Sequence, residues 1–255
     1  GVEDVFIHPN MGDGGLSLGA ALWASREPIA EEVELVKNPL NDVFLGPEFS
    51  QGHMRMALER EGVEFVEDEE IEKRIAQAIH AGKIVARFDG RMEYGPRALG
   101  NRSILAAPTD KNINDWLNKK LHRTEFMPFA PAIMREHANE IFEDTLVSQA
   151  LNYMTITLDV RPEWLERIPA VCHVDGTARP QLLDPENTPS FYRTVFHYRE
   201  ISGLPLVINT SFNIHEEPIV CTPEDAVRAF MRGHLDALAM GPFWAENPGE
   251  SEDRN

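Results

Sequence analysis

The chain has 255 residues, 42% of them hydrophobic and 26% charged, ordinary proportions for a globular protein of one large domain or a domain and a fragment. Its net charge of −18 argues against nucleic acid or an anionic membrane as a bulk partner. No apolar run reaches the roughly 20 residues needed to span a bilayer, so no membrane association is expected.

Residues 12–24 read as a glycine turn entering a small-residue helix. A polar, proline-punctuated link follows from about Arg26 to Pro47, and a domain boundary is expected there, with residues 1–40 ending one unit and 41–255 forming the next. The chain opens on Gly, in mid-pattern, which predicts a piece of a longer protein. Beyond the link, helices are predicted at 50–61, 69–81, 110–121, 189–202 and 223–232. The last has Thr222 to cap it, Pro223 in its first turn, and Glu224 and Asp225 to favour its dipole. Strands are predicted at 84–88, 103–107, 129–134, 153–160, 170–174, 205–210 and 236–240. Within 153–160, polar and apolar residues alternate as on a half-buried strand. Such interleaving gives an α/β or α+β fold with a twisted mixed sheet. Cys172 and Cys221 are expected as free thiols of a reducing compartment, hence a cytoplasmic protein.

The cations are unevenly placed. Between Ala86 and Arg123 there are eight Lys/Arg against four acids, a net +4, while the remainder carries 16 basic and 38 acidic residues, a net −22. At its centre lies DGRMEYGPRALGNRS, residues 89–103, which sets Arg91, Arg97 and Arg102 among glycines and a proline. A packed core has little use for such a segment. Glycines let backbone N–H groups approach a ligand, and guanidinium forks grip phosphate or carboxylate oxygens in pairs. The stretch therefore reads as the floor of a site for a small phosphorylated or carboxylated molecule.

Three further motifs carry polar groups. In RTEFMPFAP, residues 123–131, Arg123 and Glu125 precede a strand entry stiffened by two prolines. In HVDGTARPQ, residues 173–181, an Asp-Gly turn joins two expected strands, and Arg179 stands just beyond it, where it can meet an anion. In NTSFN, residues 209–213, Asn209 and Ser211 close a β-branched strand, at the strand end that faces the usual ligand crevice of an α/β sheet. Each has a plain structural alternative: a helix-end cation, a simple hairpin, an Asx turn. No phosphate-binding P-loop, dinucleotide fingerprint, nucleophile elbow, H-x-x-x-H or C-x-x-C occurs.

Taken together and in this order, GRMEYGPRALGNRS, RTEFMPFAP, HVDGTARPQ and NTSFN…EPIV resemble the C-terminal region of the NodU/CmcH carbamoyltransferase family, over about residues 40–243. HPNMGDGGLSLGAAL resembles the last segment of that family's actin-like ATPase-fold N-terminal domain. The resemblance implies a YrdC-like domain that binds carbamoyl phosphate and ATP and forms carbamoyl adenylate, for transfer to a hydroxylated small-molecule acceptor such as a sugar or secondary metabolite. It implies Arg97, Arg123 and Arg179 as the catalytic cations, and Arg97, Arg102, Arg123, Arg179, Asn209 and Ser211 as the residues lining the substrate and nucleotide pocket. In the full-length protein it implies a Mg or Fe-type divalent metal, completed by Asp13, whose two partner histidines this sequence lacks. It leaves room for a homodimer. Glu93, Glu125 and His173 stand as equal candidates for a general base. The alternative is a non-catalytic nucleotide- or anion-binding module that regulates a partner subunit.

Overall fold

The computed structural model describes residues 7–25, 42–113, 129–143, 149–214 and 216–247. The elements run α1 (Asp13–Ala24), α2 (Gln51–Arg60), β1 (Phe65–Glu67), α3 (Ile71–His80), β2 (Val85–Phe88), β3 (Arg102–Ala106), β4 (Ala130–Met134), α4 (Ala138–Ile141), β5 (Leu158–Asp159), α5 (Pro162–Leu165), β6 (Thr177–Ala178), β7 (Gln181–Leu183), α6 (Pro189–Ser202), β8 (Leu206–Ser211), α7 (Pro223–Arg232), β9 (Ala237–Met240) and β10 (Phe243–Glu246).

Eight strands form one mixed sheet in the order β1-β10-β9-β2-β3-β8-β4-β7, and β5 pairs with β6 beside it. β2 runs parallel to β9 and β4 parallel to β7, while the other pairs are antiparallel. This is the α/β architecture with a mixed sheet that the sequence predicts. All residues of β2, β3, β4 and β9 are buried, which is why these strands are largely apolar without alternation, Arg87, Arg102 and Ser103 being the polar residues among them. Helix α3 packs on α6, and α2 on α7.

Local chemistry sets the helix ends. The Thr222 hydroxyl accepts from the Asp225 N–H while the Asp225 carboxylate accepts from the Thr222 N–H, a reciprocal cap that starts α7 with Pro223 in its first turn. α6 begins at Pro189 and stops at Gly203, whose φ of 74° is left-handed. α1 buries none of its residues; Leu16 and Trp23 are 69% and 70% exposed.

Two predicted strands are corrected. Residues 149–153 form a 3-10 turn, and only Leu158–Asp159 of the predicted 153–160 strand is extended. Tyr153 and Met154 are consecutive and both buried, and Met154 has a φ of 55°, so the alternating pattern is not a pleat. Residues 170–174 do not form a strand either. Pro169 opens a 3-10 turn over Pro169–Val171, with Ala170 and Val171 both inward. β6 consequently pairs with β5 and not with that segment. The predicted domain boundary lies largely, and the predicted helix at 110–121 beyond Ile113, outside the described residues.

Candidate functional site

The sheet register brings the sequence motifs to one end. β2 rises into the arginine loop, which returns as β3, whose Ser103 stands beside Ser211 at the far end of β8. β4 starts beside Asn209, with Ala130 as its partner. β7 starts at Gln181, beside Ala132 of β4, and Arg179 lies two residues before it. Residues distant in sequence thus meet where β2 and β8 end and β3, β4 and β7 begin. Arg123 and Glu125, expected at the same place, lie outside the described residues.

Over Leu99–Arg102 the loop's backbone N–H groups, that of Gly100 included, are bound within the protein. The Glu93 Oε1 accepts from the N–H of Leu99 at 2.7 Å, Asn101 at 2.8 Å and Arg102 at 3.2 Å. The Gly100 N–H goes to the Ser103 hydroxyl at 2.9 Å. Carbonyls are bound as fully: Ala98 O by Asn209 Nδ2 at 3.2 Å, Leu99 O by Gln181 Nε2 at 2.7 Å, and Gly100 O by the Arg87 guanidinium at 2.5 Å. Glu93 is 7% exposed and organises the loop through Oε1, while its Oε2 is enclosed without a hydrogen-bond partner. Its fixed amide partners make the loop rigid before any ligand arrives.

Arg102, expected among the ligand-gripping arginines, is fully buried. One terminal nitrogen donates to the carbonyls of Asp89, Gly90 and Asn101, and the other reaches Gly90 and Pro47. Its guanidinium lies 3.7 Å from the centroid of the Phe88 ring. Burial pushes its pKa down to about 10, against the opposing pull of Glu93. This arginine holds the loop from inside. Asn209, 1% exposed, likewise gives both amide hydrogens to protein, the second to Gln181 Oε1 at 2.7 Å. Arg91 is exposed and caps the carbonyls of Leu45 and Gly46.

Arg97 and Arg179 are different. Both are part-buried, and among the described residues neither makes a hydrogen bond or ion pair. The Arg179 Nε is enclosed without a partner. Burial holds the Arg97 guanidinium below its ordinary pKa. Arg179 is pushed down to about 10, first by burial and then by the charge of Arg97. Two like charges brought close together, half out of water and with no carboxylate paired to them among the described residues, are an arrangement that an anion stabilises. Composition could not reveal that these two, of the arginines described in this region, are the ones with no hydrogen bond among the described residues; burial and hydrogen bonding decide it.

Beside Arg179, the His173–Thr177 turn is closed by the Thr177 carbonyl, which accepts the His173 N–H at 2.7 Å. The Asp175 carboxylate accepts the Thr177 N–H at 3.0 Å and the Thr177 hydroxyl at 2.8 Å. Ser211, half-buried at the end of β8, donates its hydroxyl to Asn213 Oδ1 at 2.6 Å. Asp13 stands exposed in the first turn of α1, and among the described residues no three His, Cys, Asp or Glu side chains gather to hold a metal. The residues described do not fit the expected divalent metal. Cys172 and Cys221 are both free thiols, as predicted; burial raises Cys172 to about 11.

A model of the family described as carbamoyltransferase C-terminus matches residues 76–247. The uncharacterised protein MJ1058 of Methanocaldococcus jannaschii is 37% identical over 243 residues, covering 92% of this chain and 39% of its own. Nodulation protein NolO of Bradyrhizobium diazoefficiens is 35% identical over 251 residues, 94% of this chain and 44% of its own. Nodulation protein U of Rhizobium tropici is 34% identical over 235 residues, 92% and 38% respectively. The chain therefore spans less than half the length of these relatives. Among solved structures, HypF in its phosphate- and nucleotide-bound form gives a TM-score of 0.48 at 21% identity, over 70% of this chain and 22% of that one.

Proposed function

Because the chain belongs to the carbamoyltransferase C-terminus family, we propose that it is the part of an O-carbamoyltransferase that binds carbamoyl phosphate and ATP and joins them as carbamoyl adenylate. The observation that carries this reading is the Arg97–Arg179 pair, two neighbouring guanidiniums that have no ion pair among the described residues. Carbamoyl phosphate and the ATP triphosphate are both polyanions, and each needs cations that are already in place. Arg97 stands just before a stretch, Ala98–Arg102, that is held by hydrogen bonds to Glu93, Ser103, Gln181 and Asn209, so the end of the loop next to it is ordered when the anion binds.

In this reading water first converts carbamoyl phosphate to carbamate and phosphate. A carbamate oxygen then bonds to the α-phosphorus of ATP, the bond to the β-phosphate breaks, and pyrophosphate departs with the electron pair. Arg97 and Arg179 offset the charge that gathers on the transferring and leaving oxygens. A hydroxyl of a sugar or secondary metabolite is the final acceptor. No step is routed through a metal.

Calorimetry with carbamoyl phosphate and with ATP, followed by pyrophosphate release when both are present, tests the proposal. Binding of both with pyrophosphate release supports it. Binding of ATP with no pyrophosphate would instead indicate a non-catalytic nucleotide-binding module. Failure of the folded protein to bind either would remove the reading altogether.

A further inference from the structure

The hydrogen bonds of the 173–179 turn fix the protonation of one imidazole. Thr177 donates its hydroxyl hydrogen to Asp175 Oδ1 at 2.8 Å, since an ionised carboxylate can only accept. Asp175 is held ionised by the Thr177 N–H first and the Thr177 hydroxyl next, both of which keep its carboxyl below the ordinary range. With its hydrogen committed, the Thr177 oxygen can only accept from the His173 Nδ1, 2.9 Å away. The neutral imidazole therefore carries its hydrogen on Nδ1, and Nε2 keeps a lone pair. Among the described residues nothing donates to that nitrogen.

The same turn sets His173 beside the anion site. Thr177 lies across the turn from His173, and Arg179, two residues further along the extended chain, shares its face. The described charged groups bearing on His173 are Asp175 and Arg179. Burial lowers its pKa, Asp175 opposes this, and Arg179 adds to it, so the ring is neutral at pH 7. Of the three residues that could act as a base, Glu93 is buried, with Oε1 taken by three backbone N–H groups and Oε2 enclosed away from solvent, and Glu125 lies outside the described residues, whereas the His173 ring is part-exposed.

We infer that His173 is the proton acceptor of the Arg97–Arg179 site, with Asp175 and Thr177 fixing its Nδ1–H tautomer so that Nε2 can take a proton from the water that cleaves carbamoyl phosphate. The inference rests on the proposed function. In this step water gives one proton to Nε2 and its hydroxyl oxygen bonds to the carbamoyl carbon. The bond from that carbon to the phosphate oxygen breaks, with the pair leaving on phosphate. The imidazolium returns the proton to the departing phosphate. The products are hydrogen phosphate and carbamic acid, which ionises to carbamate. Asp175 and Thr177 are positioning residues, acting through the ring.

The test follows phosphate release from carbamoyl phosphate with ATP present, above the spontaneous rate and as a function of pH, for the full chain and for His173→Gln and Thr177→Val. The wild-type rate is expected to fall on the acid side with a midpoint below 6.5. His173→Gln is expected to lose about 100-fold in rate, with that acid limb gone and the carbamoyl phosphate Kd changed less than about threefold. Thr177→Val keeps the imidazole but frees Nδ1, so its acid limb is expected to move. Nitrogen NMR of the wild-type histidine, which needs no variant to fold, is expected to show hydrogen on Nδ1. An Nε2–H tautomer, an unchanged rate and pH profile in His173→Gln, or binding of carbamoyl phosphate without catalysed phosphate release would each overturn the base assignment. Absence of carbamoyl phosphate binding by the wild type would instead overturn the proposed function.

Discussion

Asn209 on β8 donates to Gln181 on β7 at 2.7 Å, across the intervening β4, and the two amides together hold consecutive carbonyls of the arginine loop, Ala98 and Leu99. Both Asn209 hydrogens are committed, which settles its orientation and leaves its Oδ1 buried without a partner. Asn209→Asp keeps the shape but removes both donors and sets a carboxylate against two acceptor oxygens. We expect it to cost about 3 kcal/mol or more of stability, measured by urea unfolding, while Asn209→Ser costs less. Equal stability of Asn209→Asp and wild type would mean that the amide does not hold the loop.

Arg97 and Arg179 give the most direct check on the site. Arg97→Ala and Arg179→Ala should each weaken carbamoyl phosphate binding by roughly 1.5–3 kcal/mol, the worth of a charge-assisted hydrogen bond. Arg91→Ala, on the exposed side of the same loop, should leave affinity unchanged. Thermal stability should not fall in the first two variants, because removing one of two repelling charges relieves the other. Unchanged affinity in both, by calorimetry, would take these residues out of the pocket.

How far the sequence disclosed this arrangement varies with the kind of residue. α6 and α7 are found at the predicted limits because Pro189, Thr222, Pro223 and Gly203 act locally, through caps and a fixed φ. The central strands fall within about a residue of their predicted limits, since a run buried on both faces leaves little else for it to be. β7 escaped notice: three residues between Pro180 and Asp184 carry no periodicity. The arginines were the hard case. Arg97 and Arg102 look alike in a glycine-rich loop, yet one makes no hydrogen bond among the described residues and the other is surrounded by five carbonyl contacts. That difference arises from how the loop closes on Glu93, a tertiary fact without a sequence period.

Gly100 is where the loop meets α6. Its φ is 120°, and a Cβ placed there would stand 2.4 Å from Cδ1 of Phe191. Phe191 is itself 2% exposed and lies under the Arg87 guanidinium, which in turn binds Gly100 O. Gly100→Ala must therefore bear both backbone strain and a core clash, together about 2–4 kcal/mol. Phe191→Ala should recover part of that loss in the double variant by removing the clash. Denaturant unfolding of the two single variants and the double reads this directly, and strict additivity would show that the ring is not the obstacle.

His173 should also leave a mark on stability against pH. Its folded pKa is lowered, by burial first, so just below the ordinary histidine value of 6.5 the unfolded chain binds a proton that the fold does not. Stability from this group is therefore complete above pH 6.5 and declines as pH falls from 6.5 through the folded pKa. The lowered carboxylates, Asp175, Asp184 and Asp225, act in the same direction, but in the more acidic carboxylate range. His173→Gln removes only the histidine part. Between pH 7 and pH 5.5 the variant should thus lose less stability than wild type, as read from urea midpoints. A wild-type loss no larger than the variant's would mean that the ring is as easily protonated in the fold as in the open chain, and the lone pair on Nε2 would then not be reserved for the site.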